Sequence, residues 1–164
     1  MVAVDSPISS GRLALVRALF DSQYHRYTQE RQDIVLWWCG GENAGEDEFR
    51  PKINFLIKVW SDPNFRPFDN IKSSVYYLRS NLDTDFLIRL STSQPGGITL
   101  SFRRKMGGSD IVHTRYYVNK NENIVDSDRK EHTSITSLGT WFSAYRFQSR
   151  SACPAGYVCP SNCN

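Results

Sequence analysis

No stretch of the chain is apolar for the length of a membrane-spanning helix. The first apolar segment, residues 13–20, is broken by Arg17 and followed by Asp21, not by a small-residue cleavage site. A secretory leader is therefore not expected, and the expected compartment is the cytosol, where thiols stay reduced. An excess of one charge is missing too. The net charge of +3 is too weak to argue for nucleic acid. Cysteine is sparse, with 4 in 164 residues. Cys39 stands alone, while Cys153, Cys159 and Cys163 crowd the C-terminal tail. With His132 or Cys39 as a fourth ligand the tail thiols could hold zinc, or two could pair. Their spacing fits no common zinc pattern, so a loose tail of free thiols is the expectation, with no metal and no cofactor.

Catalytic signatures are absent as well. A thiol phosphatase needs an arginine six positions after its cysteine. Cys39 is followed there by Gly45, and Cys153 by Cys159. No phosphate-cradling P-loop, kinase loop, His-Glu-x-x-His or Gly-x-Ser-x-Gly string occurs. Cys39 lies beside Trp37 and Trp38 and reads as core. The chain is not expected to be an enzyme.

What is present is a change of period. An amphipathic helix is expected from Arg12, with Leu13, Val16, Leu19, Phe20, Gln23 and Tyr24 at helical spacing. A second is expected over residues 28–39, stopped by Gly40 and Gly41. Pro51 fits the first turn of a third, whose stripe is Ile53, Leu56, Ile57 and Trp60. Residues 1–66 thus read as a helical subdomain that must bury its stripes, most simply against the domain C-terminal to it. Asn70 can cap a fourth helix, with Ile71, Val75 and Leu78 facing inward. Strands are expected at Phe86–Leu90, from Ile98, at Ile111–Val118 and at Ile124–Val125, with turns between them and a hairpin over residues 106–110. Thr133 or Ser134 can cap a last helix carrying Ile135, Leu138, Trp141 and Phe142. The expected fold is α+β: a central antiparallel sheet flanked by two helices over residues 67–148. The helical subdomain precedes it, and a cysteine-bearing tail, residues 149–164, ends the chain.

One strand is unusual. Phe86, Leu87, Ile88 and Leu90 are apolar around a single Arg89. Such a run marks a strand covered on both faces. A guanidinium there is costly unless an anion or a carboxylate meets it. Ser91, Thr92 and Ser93 come next, then Pro95, Gly96 and Gly97. A buried guanidinium beside a loop rich in hydroxyls and amides suits a phosphate. On the third strand His113, Arg115 and Tyr117 share one face by parity, which makes them candidates for the same site. The charge run Arg103, Arg104 and Lys105 reads as solvated surface, or less simply as an anion- or nucleic-acid-attracting patch.

The run Phe86-Leu87-Ile88-Arg89-Leu90-Ser91 resembles the FLVRxS signature of Src-homology-2 (SH2) domains, with the family's order of helix, strands and helix around it, from about Phe68 to Tyr145. Together with Thr92, Ser93, Gly96, Gly97, Ile98 and Thr99 the wording is similar to the STAT type. Phe55-Leu56-Ile57-Lys58-Val59-Trp60-Ser61-Asp62 is similar to the end of the helical linker that precedes a STAT SH2 domain. There is no room for a STAT DNA-binding domain. A fragment, a short independent protein and a bacterial effector acting in a host cytosol all fit. The resemblance implies binding of tyrosine-phosphorylated proteins or peptides. It implies that Arg89 clamps the phosphate, that Ser91 adds a hydroxyl, and that Thr92 and Ser93 belong to the loop wrapping it. The family often places a basic residue on the preceding helix where this chain has Ile71; Lys72 is one position away. With no clear strand in the C-terminal part, little dependence on residues flanking the phosphotyrosine is expected. No membrane partner is expected, and nucleic acid is not favoured. A protein-interaction scaffold of the same fold, without the phosphate site, is the alternative.

Overall fold

The computed structural model describes residues 7–104, 111–126 and 137–151. The 106–110 hairpin turn, Lys105, His132, the Thr133 and Ser134 caps, Ile135 and the tail cysteines lie outside the described residues.

Helix α1, Pro7–Phe20, buries Val16, Leu19 and Phe20. It ends before Tyr24, which is 64% exposed and not part of the expected stripe. Arg12 is buried instead of starting the helix: its guanidinium donates to the carbonyls of Gly41 and Glu42 and lies over the Phe49 ring. Helix α2, Gln29–Trp38, is capped by the Thr28 hydroxyl, which accepts from the Arg31 amide at 3.0 Å. Gly40 and Gly41, at φ +108 and +80°, turn the chain out of it, and their amides close onto the Trp37 and Leu36 carbonyls.

Helix α3, Glu46–Val59, starts earlier than Pro51 predicts. Glu46, Asp47 and Glu48 occupy its first turn, where carboxylates suit the helix dipole, and Pro51 falls inside the helix. The stripe is shifted as well. Phe49, Ile53, Phe55, Leu56 and Val59 are buried, whereas Ile57 is 53% exposed. Helix α4, Ile71–Ser80, opens with a reciprocal capping box between Asn70 and Ser73. Its buried face is Ser74 and Leu78, and Ile71 is exposed. Helix α5, Leu138–Ser151, begins after Ser137, whose hydroxyl accepts from the Thr140 amide. The cap thus lies beyond the positions expected from sequence.

Strands β1 (Phe86–Leu90), β2 (Gly97–Arg103), β3 (Ile111–Val118) and β4 (Ile124–Val125) form an antiparallel meander in the order β1-β2-β3-β4. A feature not expected from sequence lines the outer edge of β1. Phe65 bridges Ile88 in parallel, with bonds from Arg66 N to Ile88 O and from Ile88 N to Asn64 O, both 2.8 Å. The Leu90 amide then reaches Pro67 O. This edge pairing places residues 65–69 alongside β1 and delivers α4 to the sheet.

Cross-strand partners share a face. Arg89–Thr99–Arg115 and Leu87–Ser101–His113 are rows on one face, the face on which the Leu78 side of α4 packs. The other face carries Phe86, Ile88, Leu90, Ile98, Leu100 and Tyr116. These join Leu138, Trp141 and Phe142 of α5 and the buried side chains of α1–α3 in one core. The rings of Phe86 and Phe142 stack at 4.1 Å. So the helical stripes of the N-terminal part do bury against the sheet C-terminal to them.

Arg103 does not stand in solvent. Its guanidinium donates to the Leu78 carbonyl at the end of α4 and to Thr84 O in the turn before β1. It satisfies helix-end carbonyls that would otherwise lack donors.

Candidate functional site

The centre of the site is Arg89. Both neighbours in sequence, Ile88 and Leu90, are buried on the opposite face. Arg89 is itself only 9% exposed, beneath the start of α4. Among the described residues it has no ion pair and no hydrogen bond, and its Nε is a buried donor without an acceptor. Burial pulls the guanidinium below its ordinary pKa; the Asp69 carboxylate opposes this and Arg115 adds to it. Arg115 is exposed, two strands away across Thr99. With strands spaced about 4.8 Å apart, the two guanidinium-bearing backbones are about 10 Å apart. That leaves a gap between two cations, floored by a buried threonine.

His113 lies one row along. Its Nδ1 meets Ser101 Oγ at 2.7 Å. Burial, with Arg89 adding to it, lowers its pKa from the ordinary histidine value. Tyr117, opposite Gly97, is at the outer end of the same face and 36% exposed.

The loop from Ser91 to Gly97 closes one end of the gap. Ser91 Oγ accepts from the amides of Ser93 and Gln94, each at 3.2 Å, and lies 3.2 Å from Ser93 Oγ. Its hydroxyl folds the loop around itself. Gly96, at φ +77°, makes the turn into β2. Thr92 is directed elsewhere: it borders a surface hollow with Glu30, Asp33, Ile34 and Trp37 of α2.

Lys72 is exposed in the first turn of α4 and, among the described residues, has no polar partner. The structure brings Arg89, Ser91, Ser93, His113 and Arg115 to one region. Thr92 lies in the same loop but borders α2, and Lys72 is exposed at the start of α4. Sequence reasoning missed two residues that share the Arg89 row or act on it, Thr99 and Asp69, and one buried hydroxyl on α4, Ser74. Thr99 shares the Arg89 row, as its alternation in β2 signals. Ser74 holds a buried, unpartnered hydroxyl on the inward side of α4. Asp69 pairs with Arg66 at 2.6 Å and acts electrostatically on Arg89. No local pattern marks the last two.

The described residues hold no cluster of three or more His, Cys, Asp or Glu side chains able to bind a metal ion. No helix among them is long and apolar enough to cross a membrane.

The family model for the SH2 domain matches residues 70–142, from the α4 cap through the first part of α5. Over this segment the chain has the SH2 fold. SH2 domains are, in general, non-catalytic modules that bind phosphotyrosine peptides and proteins. Among solved structures the chain is similar to the SH2 domain from RavO of Legionella pneumophila, as apoprotein. Identity is 16% and the TM-score 0.45, over 60% of this chain and 91% of that one. No curated protein matches the chain. Helices α1–α3 precede the matched segment, so the SH2 domain here is embedded in a larger core.

Proposed function

We propose that this chain binds tyrosine-phosphorylated proteins through a phosphate pocket centred on Arg89. One observation carries the reading: a buried arginine with neither carboxylate nor carbonyl to meet it. A guanidinium in that position is destabilising in the empty protein and strongly favourable to a dianion that reaches it. A phosphotyrosine brings about −1.5 to −2 charges and several acceptor oxygens. The guanidinium takes two oxygens, and Ser91, Ser93 and the amides of their loop take the others. Arg115 closes the gap from the far side of Thr99, with His113 and Tyr117 along the same face. Lys72 stands exposed in the first turn of α4, and Thr92 borders the hollow on α2.

The proposal extends to a weak dependence on flanking sequence. The opposite face of the sheet is taken up by α5 and by α1–α3. The β3–β4 turn is tied to α3 through Glu122, which accepts from both Lys58 and Asn54. A phosphopeptide array with a sharp preferred motif would overturn this part. The STAT-type reading rests on the wording of residues 86–99 and on a helical segment ahead of the SH2 domain, and a cytosolic setting on the expected reduced thiols.

The deciding experiment titrates a phosphotyrosine peptide and its unphosphorylated twin against the wild type and Arg89→Ala. Binding of the phosphopeptide alone, lost on mutation, is expected. Equal binding of the two peptides, or no loss in Arg89→Ala, leaves the scaffold reading.

A further inference from the structure

The loop after Arg89 is held from outside the matched SH2 segment. Trp38, at the end of α2, is fully buried and donates its indole N–H to the Gly97 carbonyl at 2.7 Å. That same carbonyl accepts the Ser91 amide at 2.8 Å, the bond that closes the loop's neck. Lys52, on α3, lays its side chain over the loop's turn. A Cβ at Gly96 would stand 2.7 Å from Lys52 Cε, so the two touch because position 96 has no side chain. The contact is led by Lys52 Cε, with Cδ and Nζ each 3.4 Å from the same point, and the ammonium has no hydrogen bond or ion pair among the described residues. Thr92, at the tip, faces Glu30, Asp33, Ile34 and Trp37 of α2. Three points of one loop thus meet two helices that lie far ahead of it in the chain.

We infer that α2 and α3 are a brace for the phosphate loop and part of the binding unit, with Trp38 as its main positioning residue. The inference rests on the phosphotyrosine reading for its consequence, and on the loop's own contacts for its structure. A loop whose amides are to meet an anion binds best when it is already held in shape, because less ordering remains to be done on binding. Ser91 orders the loop from inside; Trp38 and Lys52 order it from outside. Neither of the latter is placed to touch a ligand on the Arg89 face, so they act through the loop.

The test uses the full chain with two variants. Trp38→Phe keeps an aromatic ring and deletes the donor, and Lys52→Ala trims a half-buried side chain without touching the core. Two quantities are read on each: hydrogen exchange at the Ser93, Gln94 and Gly97 amides, and affinity for a phosphotyrosine peptide. Faster exchange at those amides is expected in both variants, with exchange in the centre of the sheet unchanged. Affinity is expected to fall by about tenfold in Trp38→Phe and about threefold in Lys52→Ala, through faster dissociation. Unchanged loop exchange in the folded variants overturns the brace. So does faster exchange with unchanged affinity, which makes the contacts merely structural. If the wild type binds no phosphotyrosine peptide, the function proposed above fails, and the exchange measurement still decides whether the helices order the loop.

Discussion

The ammonium of Lys58 on α3 meets the Glu122 carboxylate in the β3–β4 turn at 2.6 Å. The pair joins two segments 64 residues apart, at a position where Glu122 has φ +64°. The Lys58 hydrogen bond, helped by Asn54 and opposed by burial, holds the Glu122 carboxyl below the ordinary glutamate value. A depressed carboxylate pKa contributes stability that is complete above the unfolded value, and lost as pH falls through the folded one. Exposed pairs of this kind contribute about 0.2–1 kcal/mol. Glu122→Gln is therefore expected to lower the urea midpoint slightly at pH 7 and to have no effect once the pH is below the folded value. The difference should shrink in high salt. An equal penalty at low pH would show that the turn, not the charge, is at work.

Asp69 acts on Arg89 with a negative charge that, on the proposed reading, a phosphate must tolerate. Arg66 offsets it at 2.6 Å, and Arg66 in turn lies over the Tyr77 ring. Removing the charge should favour the dianion by on the order of 1 kcal/mol at the effective dielectric of a protein surface. Asp69→Asn is expected to bind a phosphotyrosine peptide about threefold to tenfold more tightly. Arg66→Ala, which leaves Asp69 uncompensated, is expected to bind it more weakly. Calorimetric titration of both variants at two salt concentrations checks the sign and its screening.

Arg89→Met should stabilise the empty protein while abolishing phosphate-dependent binding. The methionine fills a similar path and removes a guanidinium whose Nε is buried without an acceptor. Replacing buried charges with apolar side chains is often worth about 1–4 kcal/mol where partners are poor. A higher urea midpoint with unchanged slope is the expected result. A lower midpoint would mean that the guanidinium is already satisfied in the unliganded protein.

Cys39 is buried at the end of α2, and burial pushes its thiol up to about 12, with Lys52 opposing. At mildly alkaline pH it should resist alkylation in the native protein and react only through opening. Residue-resolved mass spectrometry after iodoacetamide treatment, with and without urea, separates it from the tail thiols. Rapid native labelling of Cys39 would contradict its placement.

Much of the SH2 portion was legible because its signals are local. Asn70 caps its helix through a bond that spans three residues, so the sequence alone announces it. The alternation of Ile98, Leu100 and Phe102 against Thr99, Ser101 and Arg103 sets the faces of β2. The same parity places Arg89, Thr99 and Arg115 in one row once the hairpins are drawn. The N-terminal helices were less legible. Ile57, and likewise Ile71 in α4, fits an apolar stripe and is nonetheless exposed, because helical spacing names a face without naming what lies opposite it. Pro51 suggested a helix start, but the acidic turn of Glu46, Asp47 and Glu48 began the helix before it.

For this protein the sequence by itself determined the strands, their order, the Asn70 cap and the arginine set among apolar neighbours. Each of these depends on residues a few positions apart. Only the tertiary structure decided that Arg103 closes the end of α4, that Asp69 acts on Arg89, and that Trp38 and Lys52 hold the loop beyond it. Those contacts join residues roughly 20 to 60 positions apart, and no periodicity carries such a pairing, because it depends on which surfaces the packed core brings within a hydrogen bond's reach.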